Sequence, residues 1–119
     1  MNYPKTVQEI LDEKVLPSVA ADHNGLLTLV NDAFQKAYGW NRDDLLGKSI
    51  TTIMPPYMRD SHNVGFSRVL TTEKATVASK PLPLPVWCKD GRVVDAELFI
   101  LGEKIDGHWI FAAKINPTI

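Results

Sequence analysis

Three dipeptides, Asn24-Gly25, Asp90-Gly91 and Asp106-Gly107, constrain this chain most, because each is flanked by apolar residues that alternate or nearly do. Asn-Gly and Asp-Gly tolerate the positive φ angles of a tight type I′ turn, so each marks a reversal between two antiparallel strands. The first joins Ser18–Asp22 to Leu26–Val30, and the other two join Leu82–Cys88 to Val93–Leu101 and then to His108–Ile115. The expected strands are five, arranged as a hairpin and a three-strand meander.

Between these groups, Asp32 to Thr72 reads as helical. Asn31 or Asp32 caps a short helix carrying Phe34 and Tyr38 that Gly39 stops, and Asn41 caps another that carries Leu45 and Leu46 and ends at Gly47. After Pro55-Pro56 a longer helix is expected to about Thr72, with His62, Phe66, Val69 and Leu70 on one face. At the N-terminus, Thr6 and Glu9 form a capping-box pattern ahead of Val7, Ile10 and Leu11. Residues 1–15 therefore read as an amphipathic helix and residues 16–116 as the sheet domain, an α+β chain.

Proline placement locates one edge of the sheet. Pro81, Pro83 and Pro85 alternate with Leu82, Leu84 and Val86, and residues two apart in a strand aim their N–H groups to the same side. Three missing donors on one side place this strand at an edge, paired only to Val93–Leu101. In that neighbour, Val94, Ala96, Leu98 and Ile100 share one face; the other starts polar with Asp95 and Glu97 and ends with Phe99 and Leu101.

Composition removes several function classes. A chain of 119 residues, 45% hydrophobic, is one domain with a core of its own. A net charge of −1 lacks the basic footprint of nucleic-acid binding. The single Cys88 makes no internal disulfide and no thiolate cluster. No apolar run reaches the length of a membrane span, and Glu9, Asp12 and Glu13 stand where a signal peptide needs apolar residues, so a cytoplasmic location is expected. Asp43-Asp44 and Asp12-Glu13 occupy consecutive helical positions and diverge, His23 and His108 adjoin turns, and no phosphate-binding glycine loop precedes a helix. Independent catalysis is not expected.

The segments Asn24-Gly25, Asn31-Asp32-Ala33-Phe34, Tyr38-Gly39-Trp40, Leu45-Leu46-Gly47-Lys48, Met54-Pro55 and Lys89-Asp90-Gly91 together resemble a PAS domain over nearly the whole chain. The resemblance implies one antiparallel sheet in the order B-A-I-H-G, with short helices over one face enclosing a pocket and an N-terminal capping helix. It also implies a sensory and interaction module that dimerises, binds a small ligand or partner and signals to an effector such as a kinase, cyclase or chemoreceptor, attached in a longer chain or held by a partner; the alternative is a purely structural dimerisation module whose pocket is filled by its own side chains. The pocket candidates are His62, Phe66, Val69, Leu82, Leu84, Leu98 and Ile100. For a homodimer the candidates are Val7, Ile10 and Leu11 of the helix with Phe99 and Leu101 of the sheet; the competing expectation is that the helix folds back on its own sheet.

The stretch from Met54 to His62 resembles that of oxygen-sensing haem PAS kinases, which implies His62 as proximal ligand of haem b and Arg68 as a propionate contact. Leu82 stands where those sensors carry a distal arginine, with Lys80 nearby. The same pattern in haem-free PAS domains implies a structural histidine bonded to neighbouring backbone. Flavin photochemistry needs an Asn-Cys-Arg motif on the helix after Gly47, and Cys88 lies elsewhere, which leaves a non-covalent flavin stacked on Trp40, Trp87 or Trp109, or those rings as ordinary core.

Overall fold

Pro83 and Pro85 lie in a sheet edge. The computed structural model describes residues 4–59 and 82–117, with α1 (Val7–Leu11), β1 (Ser18–Ala21), β2 (Leu27–Val30), α2 (Asp32–Tyr38), α3 (Arg42–Leu45), the 3-10 turns η1 (Ile50–Ile53) and η2 (Pro56–Met58), β3 (Leu82–Trp87), β4 (Val93–Ile105) and β5 (His108–Pro117). The sheet is antiparallel in the order β2-β1-β5-β4-β3, the expected one. Among the described residues β3 pairs with β4 alone, from Leu82↔Leu98 to Trp87↔Val93. The other edge is closed differently: Leu27 donates to the Lys48 carbonyl at 2.8 Å and accepts from Gly47 at 2.9 Å, and Arg42 Nε donates to the Val30 carbonyl at 3.1 Å. Of the expected helix from Pro55-Pro56 to Thr72, only the first turn, η2, falls within the described residues.

The turns depart from expectation. Only Asp106-Gly107 is a two-residue loop with positive φ at both positions, 52° and 81°, directly below the pair Ile105↔His108. That pair carries β4 past Leu101, its expected end. At Asn24-Gly25 and Asp90-Gly91 only the glycine has positive φ, and the glycine N–H donates three residues back, Gly25 to Asp22 and Gly91 to Cys88. This is a type I turn followed by a left-handed glycine, which takes one residue more than a type I′ loop. A local carboxylate selects it each time: Asp22 Oδ1 accepts from Asn24 and Leu26, and Asp90 Oδ1 accepts from Arg92.

The two sheet faces are covered by different segments. On the inner face Val19, Val86, Ala96, Ala113 and Ile115 pack with Phe34, Tyr38 and Leu45 of α2 and α3. On the outer face α1 rests against Ala20 and Ala112, whose methyl groups leave room for a helix backbone, with Val7 1% and Ile10 0% exposed. Glu103 on β4 accepts from the Val7 N–H at 2.7 Å, which ties down the helix start. A five-residue helix has no stability of its own, so docking is what forms it. This corrects the dimer expectation at Val7 and Ile10, since both are buried within a single chain. Leu11 and Leu101 pack half-buried against the same cluster, and Phe99 is 7% exposed. At α1 Thr6 Oγ1 accepts from Glu9, but the Glu9 carboxylate takes the Lys5 N–H, so the capping box is half made.

Asn31 joins the two layers. Its Oδ1 accepts from Ser18 at 3.0 Å and from Phe34 at 2.9 Å, which caps α2, and its Nδ2 donates to the carbonyls of Glu13 and Leu16. Both donors and both acceptor sites of one amide are thereby used, a requirement no other side chain of this size meets. Glu13 continues the junction, accepting from Val15 and Leu16 and pairing with Lys114 at 3.1 Å.

Candidate functional site

The inner face does not pack solidly. Strands β3 and β4 aim Leu84, Val86, Leu98 and Ile100 inward at period two, while η1 and η2 hold Ile50, Ile53, Met54 and Met58 opposite them. Between these walls lies a cavity of about 130 Å³, floored by Val19, Ala113 and Ile115, and every described residue that lines it is apolar. The described lining presents no charged group, and the volume is close to that of a molecule the size of benzene. A second hollow, of about 340 Å³, lies beside β2 and is lined by Leu11, Leu29 and Leu46 with charged groups. Of its charges Asp32 pairs with Arg42 at 2.9 Å and Glu13 with Lys114, and Lys14 is the further charge on its wall.

One end of the cavity wall is fastened to β3 by aromatic and cationic groups. Arg59 Nε donates to the carbonyls of Thr51 at 3.0 Å and Met54 at 3.3 Å, and its guanidinium carbon lies 5.0 Å from the centroid of the Trp87 ring. Trp87 is held in turn, its indole N–H donating to Gly91 and its carbonyl accepting from the Trp40 indole at 2.8 Å. Lys89 stands over the Trp40 ring and 3.5 Å from Asp44. Tyr38 and Cys88 fill the core nearby. Burial, followed by the nearby Cys88, pushes the Tyr38 phenol up to about 12, and burial raises the Cys88 thiol. The Tyr38 hydroxyl has no hydrogen-bond partner among the described residues. Both groups are therefore neutral at physiological pH, and the thiol is no nucleophile.

Of the residues expected in a pocket, Leu84, Leu98 and Ile100 line the cavity, whereas Leu82 is 38% exposed and does not line it. Leu82 is the first residue of its strand, at the sheet's margin. His62, Phe66, Val69, Arg68 and Lys80 lie outside the described residues. The sequence reading missed Ile50, Ile53, Met54 and Met58 as wall residues, although the three-residue step from Ile50 to Ile53 is the period of a 3-10 turn. Trp40 and Trp109 are core, 8% and 5% exposed.

The haem contacts expected of His62 and Arg68 lie outside the described residues, and the described walls alone offer little to haem or flavin. The volume of about 130 Å³ is well below the roughly 300–1,000 Å³ of pockets for drug-sized ligands, and no described lining side chain offers a charge to a propionate or a hydrogen bond to a flavin edge. No group of three or more His, Cys, Asp or Glu side chains able to hold a metal occurs among the described residues.

A five-stranded sheet in this order, with α2, α3 and the 3-10 turns over one face of it and a pocket beneath them, defines a PAS fold. The family model for the PAS fold matches residues 6–100, and the chain belongs to that family, whose members are signalling sensor modules. An uncharacterized protein of Azorhizobium caulinodans is 29% identical over 108 residues, covering 90% of this chain; the chain spans 15% of that protein's length. The PAS domain of an HTR-like protein from Haloarcula marismortui superimposes with a TM-score of 0.73 at 16% identity, covering 93% of this chain and 88% of that one. A PAS domain from a two-component sensor histidine kinase does so with a TM-score of 0.70 at 14% identity, covering 93% and 91%. No described helix is long and apolar enough to cross a membrane.

Proposed function

We propose that this chain is the sensing module of a signal-transduction protein, and that its cavity receives a small, uncharged, apolar ligand. The observation that carries this reading is the volume of about 130 Å³ between β3–β4 and the 3-10 turns, walled among the described residues by apolar side chains alone. Empty apolar volume costs stability, on the order of 24 cal/mol per Å³, so a cavity of this size is worth keeping only for what enters it. The module has no catalytic role in this reading. Occupancy is passed to an effector, either attached or separate, as is common in this family. Pairing with a second copy draws on what α1 leaves uncovered, Val15 at 83% exposure with the half-buried Leu11 and Leu101.

Methyl-labelled protein titrated with benzene tests this directly. Shifts centred on Leu84, Leu98, Ile100, Met54 and Met58, with Val7 and Ile10 unmoved, are expected. Shifts absent at millimolar benzene, or centred on the outer face, would remove the ligand reading.

A further inference from the structure

We infer that Arg59 and Trp87 form the latch of this cavity, a seam that sets how large a ligand can enter. The inference rests on the ligand reading above but stands on separate observations. Among the described residues the cavity has one rigid wall and one light one. The rigid wall is β3 and β4, paired from Leu82↔Leu98 to Trp87↔Val93. The light wall is η1 and η2, two 3-10 turns held by the bonds Thr52 to Ser49, Met54 to Thr51 and Met58 to Pro55, with Ile50 tied to Gly25 at its start. Short 3-10 turns have poor hydrogen-bond geometry and little independent stability. Ile53, buried in the inner core with Ile50 packed beside it, holds η1, and among the described residues something else must hold the end of this wall at η2.

Arg59 is placed to do so. Its Nε binds the Thr51 and Met54 carbonyls, both of the light wall, while the face of its guanidinium lies against Trp87, which belongs to the rigid wall. When the light wall swings out, the Nε bonds travel with it. The contact with Trp87 is what parts. Because Met54 and Met58 line the cavity and Arg59 follows Met58 directly, a ligand larger than the existing volume displaces this wall and breaks the seam. A ligand that fits leaves it closed. Trp87 also accepts the Trp40 indole and touches the β3–β4 turn through Gly91, so the broken seam is felt at that turn.

The test compares wild-type chain with Arg59→Gln and, separately, Trp87→Leu. Amide hydrogen exchange at Thr52, Met54 and Met58 is read without ligand, and benzene and n-butylbenzene are titrated by methyl NMR. A partly exposed cation–π contact corresponds to a factor of about 2 to 30 in an equilibrium. Both variants should speed exchange of those three amides by a factor in that range, with Gly25 and Asn31 unchanged. They should tighten n-butylbenzene by a similar factor and leave benzene within about twofold. Unchanged exchange in both variants, or equal shifts for the two probes, overturns the latch. Exchange that rises while neither probe binds any of the proteins overturns the ligand reading and leaves the seam as the fastening of the light wall. If Arg59→Gln fails to fold, Trp87→Leu alone decides, since it leaves both Nε bonds in place.

Discussion

The two faces of the sheet are built from the same strands and end in opposite states. On the outer face, small residues at Ala20 and Ala112 receive a helix that fills the space with Val7 and Ile10. On the inner face, large branched residues from β3 and β4 meet the 3-10 turns and leave a cavity of about 130 Å³. Complete packing tolerates no change in volume, whereas a cavity does. The contrast teaches that the outer face spends its residues on holding the fold, whereas the inner face carries free volume at some cost in stability.

Removing the outer cover should have the largest effect. Ile10→Ala deletes a side chain that is 0% exposed and should cost about 2–5 kcal/mol in urea unfolding, with α1 amides losing protection. A cost under about 1 kcal/mol would show that α1 contributes little and would collapse the contrast. Asn31→Ala comes next. It removes a helix cap and strands the Ser18 N–H and the Glu13 and Leu16 carbonyls, so a loss of about 2–3 kcal/mol is expected by the same measurement.

A pair of neighbouring alanines sharpens the comparison. Both alanines border the cavity, but Ala112 packs under α1 and Ala113 packs in the inner core, neighbours on opposite faces of β5. Ala112→Val should overpack and cost about 1–3 kcal/mol. Ala113→Val fills free volume, should be neutral or stabilising by up to about 1 kcal/mol, and should weaken benzene binding. Equal losses in thermal unfolding would mean that the inner face is as tight as the outer.

The smallest effect concerns Glu13. Its carboxyl is held below its ordinary value of 4.5 chiefly by the Leu16 N–H, with the Val15 N–H and Lys114 adding to this. A folded-state value below the unfolded one contributes stability that is present above pH 4.5 and is lost as the pH falls through the lowered value. Glu13→Gln should therefore be less stable than wild type at pH 7, with the difference closing below pH 4.5 in acid titrations followed by circular dichroism. A difference constant down to pH 2 would assign the effect to packing, about 2 pH units below the ordinary range of glutamate.

The edge position of β3 was legible in the residues because it depends on missing donors, and Pro83 and Pro85 remove theirs wherever the chain goes; the full strand order followed only from the resemblance to the PAS family. Turn type was less so. Asn24-Gly25 and Asp90-Gly91 read like Asp106-Gly107, yet the carboxylates of Asp22 and Asp90 bond backbone N–H groups two to four residues on and add a residue to each loop. Where the N-terminal stripe goes was not legible at all, since Val7 and Ile10 look the same whether they meet Ala20 and Ala112 or a second chain. Half of the cavity was found through the alternation of Leu84, Leu98 and Ile100. The other half sits on 3-10 turns, which are too short to carry a periodic pattern.

The pairing of β1 with β5 has a consequence for synthesis. Ser18 lies opposite Lys114, so the strand at the middle of the sheet is the last one made. At about 5–20 residues per second, the ribosome takes on the order of 5–20 s to deliver β5 after β1 has appeared. Throughout that interval β1 has an open edge on one side, and α1 lacks Ala112 and Glu103 as its seat. The β4–β5 hairpin, closed by Asp106-Gly107, then forms within microseconds and completes sheet, outer cover and cavity floor in one late event.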